Sequence, residues 1–282
     1  EKADLGFAPD SSFPLTYAEK GLLQVKLHGP GWEDRPLQAG RALNVVSDKA
    51  TYKGERLEEL LPVIEQSGVN YTEETGAVTV LGLSKHSKDA AEGVNAIVGL
   101  AESLSLIQPH PALLFIADAV GEDATGAALF GEIKDEPSGA LSFNIATLSI
   151  DEQQSEIGID IRIPVLADKE ALVKRLSEVA ASYQLQYEEF DYVAPLYVPL
   201  DSPLVSTLMK VYQEETGDQT PAMSSGGATF ARTMENCVAY GALFPDALQT
   251  EHQANERAKL DDLYRAMEIY AETIRQLAGK EA

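Results

Sequence analysis

A histidine among acidic and amide residues, His252 in residues 251–256, is the kind of side chain that binds zinc in proteins. The segment follows an apolar run at 236–244, which predicts a strand buried on both faces. Ligands bind at the carboxyl ends of strands in open α/β sheets, so the loop is well placed for a metal ligand. A neighbouring carboxylate or amide would then orient the imidazole. A single histidine is more often structural, and the segment by itself leaves both roles open.

Four further positions carry groups that can take part in chemistry. Asp10 can ligate a cation, or it can cap the turn in which it lies. His86 lies between a predicted strand and a predicted helix, and by itself it indicates no role. Arg162, on a predicted strand, can bind a carboxylate through two hydrogen bonds or form a surface salt bridge. The turn Ser225-Gly226-Gly227 can offer backbone N–H groups to an anion, although turns with two glycines are common.

The formal net charge of −23, from 22 basic and 45 acidic residues, sets the electrostatic character of the chain. A chain this acidic repels phosphate backbones, so we expect no nucleic-acid partner, and the charge otherwise favours solubility. The single cysteine, Cys237, cannot form an internal disulfide, which predicts a reducing, cytoplasmic location and a small buried side chain. No run of eighteen apolar residues occurs, so we predict no membrane span.

After residue 20, the residue pattern predicts strands mixed with helices. Leu23, Val25 and Leu27 alternate with polar residues, which is typical of a half-buried strand. Further along, the pattern predicts a helix from Leu57 through Ile64 that ends at Gly68, a strand at 78–82 and a helix at 91–106. A second series predicts a strand at 157–164, a helix at 170–183 and a strand at 192–198. The two series share an order of elements but not residue identity, which is compatible with an internal duplication.

In the last third of the chain, the residue pattern predicts two long helices and a buried strand. The first helix covers about 204–215 and ends at Gly217, and residues 224–229 precede a short helix. The strand is predicted at 236–244. The final helix has an apolar face formed by Leu260, Leu263, Tyr264, Met267 and Ile274.

Taken together and in order, a set of short motifs resembles a family of zinc metallopeptidases. The motifs are residues 6–10 (GFAPD) with 13–14 (FP), 40–46 (GRALNVV), 84–86 (SKH), 92–96 (EGVNA), 160–164 (DIRIP), 226–232 (GGATFAR) and 252–256 (HQANE). The family includes bacterial Xaa-His dipeptidases, carnosinases, acetylornithine deacetylases and succinyl-diaminopimelate desuccinylases. The resemblance is to the bacterial dipeptidase branch. Each motif is weak alone, but together they cover nearly the whole chain in the family's order.

The resemblance implies an α/β fold in which a catalytic domain is interrupted by a large inserted α+β lid domain of two similar halves. Residues 1–20 and 200–282 would belong to the catalytic domain, which would be incomplete, and residues 21–199 to the lid. The enlarged lid of this branch resembles a built-in substitute for a dimer partner, so a monomer is expected. The implied cofactor is zinc, with two ions in the complete enzyme, and the implied substrate is a dipeptide.

The resemblance also assigns roles to particular residues. Asp10 and His252 would each ligate zinc, and His86 would stabilise the oxyanion of the tetrahedral intermediate. The remaining residues would contact substrate. They are Asn44, Arg162, which would bind the C-terminal carboxylate, and Gly226 and Gly227, which would line the pocket through their backbones.

The sequence departs from the family pattern at its start. The pattern also requires a His-x-Asp, a bridging Asp and a Glu-Glu pair before the Asp10 segment, and only nine residues precede Asp10 here. A bound metal needs enough ligands to fix it and a base to accept the proton of water, so we expect this chain alone to be inactive. The leading hypothesis is a fragment of a zinc dipeptidase. The alternatives are a non-enzymatic binding protein and an N-acyl amino acid deacylase.

Overall fold

The computed structural model describes residues 3–248, 250 and 254–279. The strands are β1 (Gly6–Ala8), β2 (Ser11–Ser12), β3 (Thr16–Glu19), β4 (Gly21–Pro30), β5 (Leu37–Ala39), β6 (Lys49–Tyr52), β7 (Tyr71–Glu74), β8 (Ala77–Leu81), β9 (Lys134–Asp135), β10 (Gly139–Ala140), β11 (Ser142–Ile150), β12 (Gln154–Ile163), β13 (Gln186–Val193), β14 (Leu196–Tyr197), β15 (Met223–Ser225), β16 (Cys237–Ala239) and β17 (Ala242–Leu243). The α-helices are α1 (Leu57–Ser67), α2 (Ala96–Ser105), α3 (Pro111–Leu114), α4 (Ala127–Phe130), α5 (Lys169–Ser182), α6 (Pro203–Thr216) and α7 (Leu260–Ala278). Two 3₁₀ helices lie at Ser87–Glu92 and Phe230–Thr233, and a π-helix at Phe115–Val120. The prediction of a mixed α/β fold is confirmed.

Contacts divide the chain into two compact units. We call Gly21–Val193 the inserted unit, and the residues up to Lys20 and from Ala194 onward the outer unit. The inserted unit begins where the predicted lid begins and ends before the predicted limit at residue 199. Its identification as a lid stays a prediction.

The larger sheet of the inserted unit has five strands in the order β13-β4-β12-β11-β5, all antiparallel. Strand side chains alternate between two faces. One face of β4 and β12 is apolar and buried, with Leu23, Val25 and Leu27 facing the core as the alternation predicted. The opposite face carries polar residues, among them Asn144 and Asp160, which are cross-strand partners.

A second sheet in the same unit has the order β6-β8-β7, and it lies in contact with α1 and α2. The prediction for α1 is confirmed, and Gly68 ends the helix in the left-handed conformation that glycine adopts without strain. The predicted start of α2 at Ala91 is wrong. The helix begins after Asn95, whose side chain caps it by accepting from the Ile97 N–H, while the preceding residues form a 3₁₀ helix.

The outer unit has a mixed sheet in which β1, β16, β3 and β14 are neighbours and β15 pairs with β3. The strand predicted at 236–244 is shorter, because the chain turns at Gly241, whose φ is 68°. The strand predicted at 192–198 is also divided, between β13 in the inserted unit and β14 in the outer unit. Pro195 lies between the two pieces and cannot donate to a sheet ladder.

Helix α7 packs against α6 through a face that differs from the predicted one. Its buried residues are Ala266, Ile269 and Thr273. The residues of the predicted apolar face, Leu260, Leu263, Tyr264, Met267 and Ile274, are exposed. The pattern therefore identified the helix but not its buried side. Among the described residues, no helix combines the length and apolar character needed to cross a bilayer.

A buried ion pair between Glu19 and Arg232 joins distant segments of the outer unit. Arg232 Nε lies 2.7 Å from Glu19 Oε2, and the two side chains are 6% and 0% exposed. Thr229 donates to the same carboxylate through its backbone N–H and its hydroxyl. Arg232 also donates to the carbonyls of Lys20 and Ala194, the residues that immediately precede and follow the inserted unit. One guanidinium thus ties together the two points at which the chain leaves and re-enters the outer unit.

We predict that Arg232→Met lowers the free energy of unfolding by about 3–5 kcal/mol, because it leaves the Glu19 carboxylate buried without its cationic partner. Urea denaturation followed by circular dichroism measures this loss. The same substitution at Arg275, which is paired with Glu272 on the surface of α7, is the matched control and is expected to leave the midpoint unchanged. Equal midpoints for the two variants would contradict a structural role for the buried pair.

Candidate functional site

The predicted site residues fall into two groups according to the unit that carries them. The inserted unit carries Asn44, His86 and Arg162, and the outer unit carries Asp10, Gly226 and Gly227. His252 lies outside the described residues.

Arg162 forms a buried pair with Asp160, two residues earlier on the same face of β12. Its Nε lies 2.6 Å from Asp160 Oδ1 and its Nη2 lies 3.1 Å from Oδ2, so the contact is bidentate. Gln24 Nε2 donates to Asp160 Oδ2 from β4 at 3.1 Å. The alternative of a surface salt bridge is wrong, since the two side chains are only 5% and 0% exposed. Asp160 therefore sets the orientation of the guanidinium.

His86 precedes the 3₁₀ helix Ser87–Glu92, and its ring caps that helix. Nδ1 accepts from the backbone N–H of Lys88 at 3.1 Å, so in the neutral ring the proton resides on Nε2. The imidazole lies at the surface, but the surrounding chain removes part of its hydration, which lowers its pKa. The positive charges of Arg162 and Lys88 lower the pKa of His86 further, and Asp160 opposes them. These effects favour the neutral ring, in which Nε2 carries the N–H donor.

Asn44 is brought next to His86 by backbone pairing. Val45 and His86 form an isolated antiparallel bridge, Val46 N–H donates to the Lys85 carbonyl at 2.8 Å, and Ser87 N–H donates to the Asn44 carbonyl at 2.9 Å. The segment containing Asn44 has no strand of its own, and it is ordered by this pairing. The inserted unit therefore pairs the backbone segments that carry Asn44 and His86, and the positive charge of Arg162 acts on the His86 ring.

Four buried polar residues of this face were not predicted as site residues, although Asp160 lies within the motif at 160–164. Asp160, Asn144, Ser142 and Ser87 are all buried and hydrogen-bonded. In the sequence, such strand residues can be recognised as polar residues within an otherwise apolar, strand-forming stretch. Residues 141–150 (LSFNIATLSI) and 157–163 (IGIDIRI) are two such stretches. Buried polar groups need partners, so such positions predict a hydrogen-bond network.

Asp10 follows β1 in the outer unit and accepts from the Phe230 backbone N–H, through Oδ2, at 2.9 Å. It lines a cavity of about 640 Å³ together with Ser11, Glu256 and Lys259. A carboxylate here suits a divalent cation as one oxygen ligand. Within the part of the chain that the structure describes, no cluster of three or more His, Cys, Asp or Glu is placed to hold a metal. The described residues fit the contribution of one ligand and not a complete metal site.

The backbone of the turn at Gly226 and Gly227 is engaged within the outer unit. Gly227 N–H donates to Ser225 Oγ at 3.0 Å, and its carbonyl accepts from Arg232 Nη2 at 2.8 Å. The predicted short helix is the 3₁₀ helix Phe230–Thr233, capped by Thr229. The role of both glycines in lining a substrate pocket stays a prediction.

The sequence of this chain is similar to that of a known peptidase family and to named dipeptidases. The model of peptidase family M20/M25/M40 matches residues 17–276. "Putative dipeptidase YtjP" of Bacillus subtilis (strain 168) is 34% identical over 302 residues, covering 99% of this chain and 64% of the relative. "Putative dipeptidase MW1694" of Staphylococcus aureus (strain MW2) is 30% identical, covering 100% and 65%. The chain thus spans less than two thirds of the length of these curated relatives.

Among solved structures, the chain is similar to an aminoacylhistidine dipeptidase from Vibrio alginolyticus, with a TM-score of 0.52 at 13% sequence identity. The match covers 100% of this chain and 67% of that one. At this level of identity the similarity concerns the fold alone.

We predict that His86 titrates below the ordinary histidine value of about 6.5 and that Lys88→Met raises its pKa. Removing a nearby positive charge makes the imidazolium less unfavourable, so protonation occurs at higher pH. The substitution keeps the Lys88 backbone N–H that bonds to Nδ1. NMR titration of the His86 ring measures the change, and Lys174→Met on α5 is the matched control. Identical His86 midpoints in both variants would rule out the electrostatic explanation.

Proposed function

We propose that this chain, which belongs to peptidase family M20/M25/M40, is the substrate-binding part of a zinc-dependent dipeptidase. The observation that carries the proposal is the placement of Asn44 and His86 on paired backbone segments, within electrostatic reach of Arg162. An amide, a neutral imidazole and a guanidinium suit a small substrate with a peptide carbonyl and a C-terminal carboxylate. The names of the two curated relatives support the same reaction class.

Arg162 is proposed to bind the substrate's C-terminal carboxylate. A guanidinium binds a carboxylate with directional N–H groups, and Asp160 holds the plane of this one. Because Asp160 is fully buried and itself receives a bond from Gln24, the Arg162 head group has one preferred orientation. Asn44 would contribute a second polar contact to the substrate.

His86 is proposed to donate from Nε2 to the carbonyl oxygen of the scissile peptide. That oxygen gains negative charge as the carbonyl carbon becomes tetrahedral, so a preorganised donor is worth more in the transition state than in the ground state. The Lys88 N–H fixes the tautomer that carries the proton on Nε2. The lowered pKa of His86 keeps the ring neutral near pH 7, so it acts as a hydrogen-bond donor of constant charge.

Asp10 and His252 are proposed as zinc ligands, in line with the family resemblance. Asp10 presents a carboxylate beside a cavity in the outer unit, with one oxygen oriented by the Phe230 N–H. The chemistry that zinc supplies when bound is Lewis acidity toward water and toward a substrate oxygen. The remaining ligands and the general base are proposed to come from sequence outside this chain, and we expect this chain alone to show no hydrolysis.

The test uses a joined protein in which this chain replaces the part of the B. subtilis relative that it matches, 64% of that protein. We predict zinc-dependent hydrolysis of dipeptides, faster than that of N-acetyl amino acids, with loss of activity in 1,10-phenanthroline and recovery on adding Zn²⁺. His86→Gln is expected to lower kcat by about 10²–10³-fold. Arg162→Lys is expected to act mainly on KM, because a lysine ammonium lacks the planar set of N–H groups that would bind the substrate carboxylate.

His28→Gln is the matched control, because His28 bonds to Glu188 on another part of the sheet, and its kcat should equal that of the parent. Preference for N-acetyl amino acids would favour a deacylase. Binding of dipeptides without any turnover in the metal-loaded protein would favour a non-enzymatic binding protein.

A further inference from the structure

Asn144 lies on the polar face of β11 and is 2% exposed. Its Nδ2 donates to the Val45 carbonyl at 3.0 Å and to Ser87 Oγ at 2.8 Å. These two acceptors belong to the segments on either side of the Asn44–His86 pairing. One amide group therefore bridges the two segments that carry proposed substrate-binding residues.

Asn95 determines which way the Asn144 amide points. Its Oδ1 accepts from the Ile97 N–H at 3.0 Å as the cap of α2, which turns its Nδ2, a donor only, toward Asn144. That Nδ2 donates to Asn144 Oδ1 at 3.1 Å and to the Ile145 carbonyl at 2.7 Å. Asn144 must therefore present oxygen to Asn95 and nitrogen to Val45 and Ser87, which removes the usual ambiguity of an amide.

Ser87 transmits this constraint to His86, its neighbour in the chain. It is fully buried, and its hydroxyl donates to the Leu43 carbonyl at 3.0 Å while accepting from Asn144. Its carbonyl accepts from Ser142 on β11. With its side chain and both backbone polar groups bonded, Ser87 cannot shift without breaking several buried hydrogen bonds, and the φ and ψ of His86 are set by the same anchor.

We propose that Asn144 is a positioning residue that holds the His86 ring and the Asn44 backbone in one arrangement on the sheet. The catalytic meaning of this role rests on the proposed function, whereas the mechanical role can be tested without it. An amide suits the position because Asn144 is the cross-strand partner of Asp160. A carboxylate there would place like charges opposite each other, and an apolar side chain would leave the Val45 carbonyl without its donor.

The experiment measures the state of the His86 ring in this chain by ¹⁵N NMR at pH 8, where the ring is neutral. In the parent chain we expect the Nε2–H form. In Asn144→Leu, which has a similar side-chain volume, we expect a mixture of the two tautomers. We also expect about tenfold faster amide exchange at Ser87 and Lys88, because local opening becomes easier.

Leu148→Ala is the control for general destabilisation, since Leu148 lies on the same strand with its side chain in the apolar core. It should lower overall stability and leave the His86 tautomer unchanged. If Asn144→Leu does not fold, Asn144→Ser replaces it, because a serine hydroxyl is too short to reach both Val45 and Ser87. A folded Asn144 variant with an unchanged His86 tautomer and unchanged exchange overturns the proposal, as does an equal effect of Leu148→Ala.

A second measurement separates this inference from the proposed function. In the joined protein described above, Asn144→Leu is expected to lower kcat about tenfold, in the direction of His86→Gln, with a smaller change in KM. If the joined protein hydrolyses nothing while the NMR result is as expected, the proposed function fails and the positioning role stands. If the NMR result is negative while peptidase activity is present, the positioning role fails alone.

Discussion

Buried polar groups must be hydrogen-bonded, and this constraint organises the inserted unit around the amide of Asn144. Neither segment that carries Asn44 or His86 is an extended strand or a long helix with its own ladder of bonds. Both are held because the sheet supplies donors to the Val45 carbonyl and to the hydroxyl and carbonyl of the buried Ser87. The cost of leaving any of these groups unpaired makes the arrangement cooperative.

Each unit contains a buried carboxylate–guanidinium pair, and the two pairs have different roles. In the outer unit, Arg232 combines Glu19 with three backbone carbonyls, so its charge is used to join chain segments. In the inserted unit, Arg162 and Asp160 are two residues apart on one strand, and Gln24 on the neighbouring strand β4 donates to Asp160. Burying ions is costly, and a pair between near neighbours is consistent with a role in orienting the guanidinium.

Sequence patterns predicted local structure well where a single local conformational preference determined it. The alternation in β4, the spacing in α1 and the glycines after α1 and α6 each follow from a preference that acts within a few residues. Predictions failed where tertiary contacts decided between equal patterns. Helix α7 has apolar residues on more than one side, and packing against α6 selected Ala266 and Ile269. A different failure was local: the segment before α2 had helical spacing, but the Asn95 side chain, which bonds to the Ile97 N–H, determined where the helix began.

At the candidate site, too, the sequence determined some features and the tertiary structure decided others. By itself the sequence determined the chemical types present and, through the order of the motifs, the family to which the chain belongs. It could not indicate that Asn144 holds Ser87, the neighbour of His86, because this contact joins a strand and a loop far apart in the chain. The bond between Arg162 and Asp160 is local, but the sequence did not indicate that the pair is buried. The His86 tautomer is set locally, by the Lys88 N–H two residues away. Only the tertiary structure decided the direction of the His86 pKa shift, because that shift depends on burial and on the charges of Arg162 and Asp160, which residue order does not place near the ring.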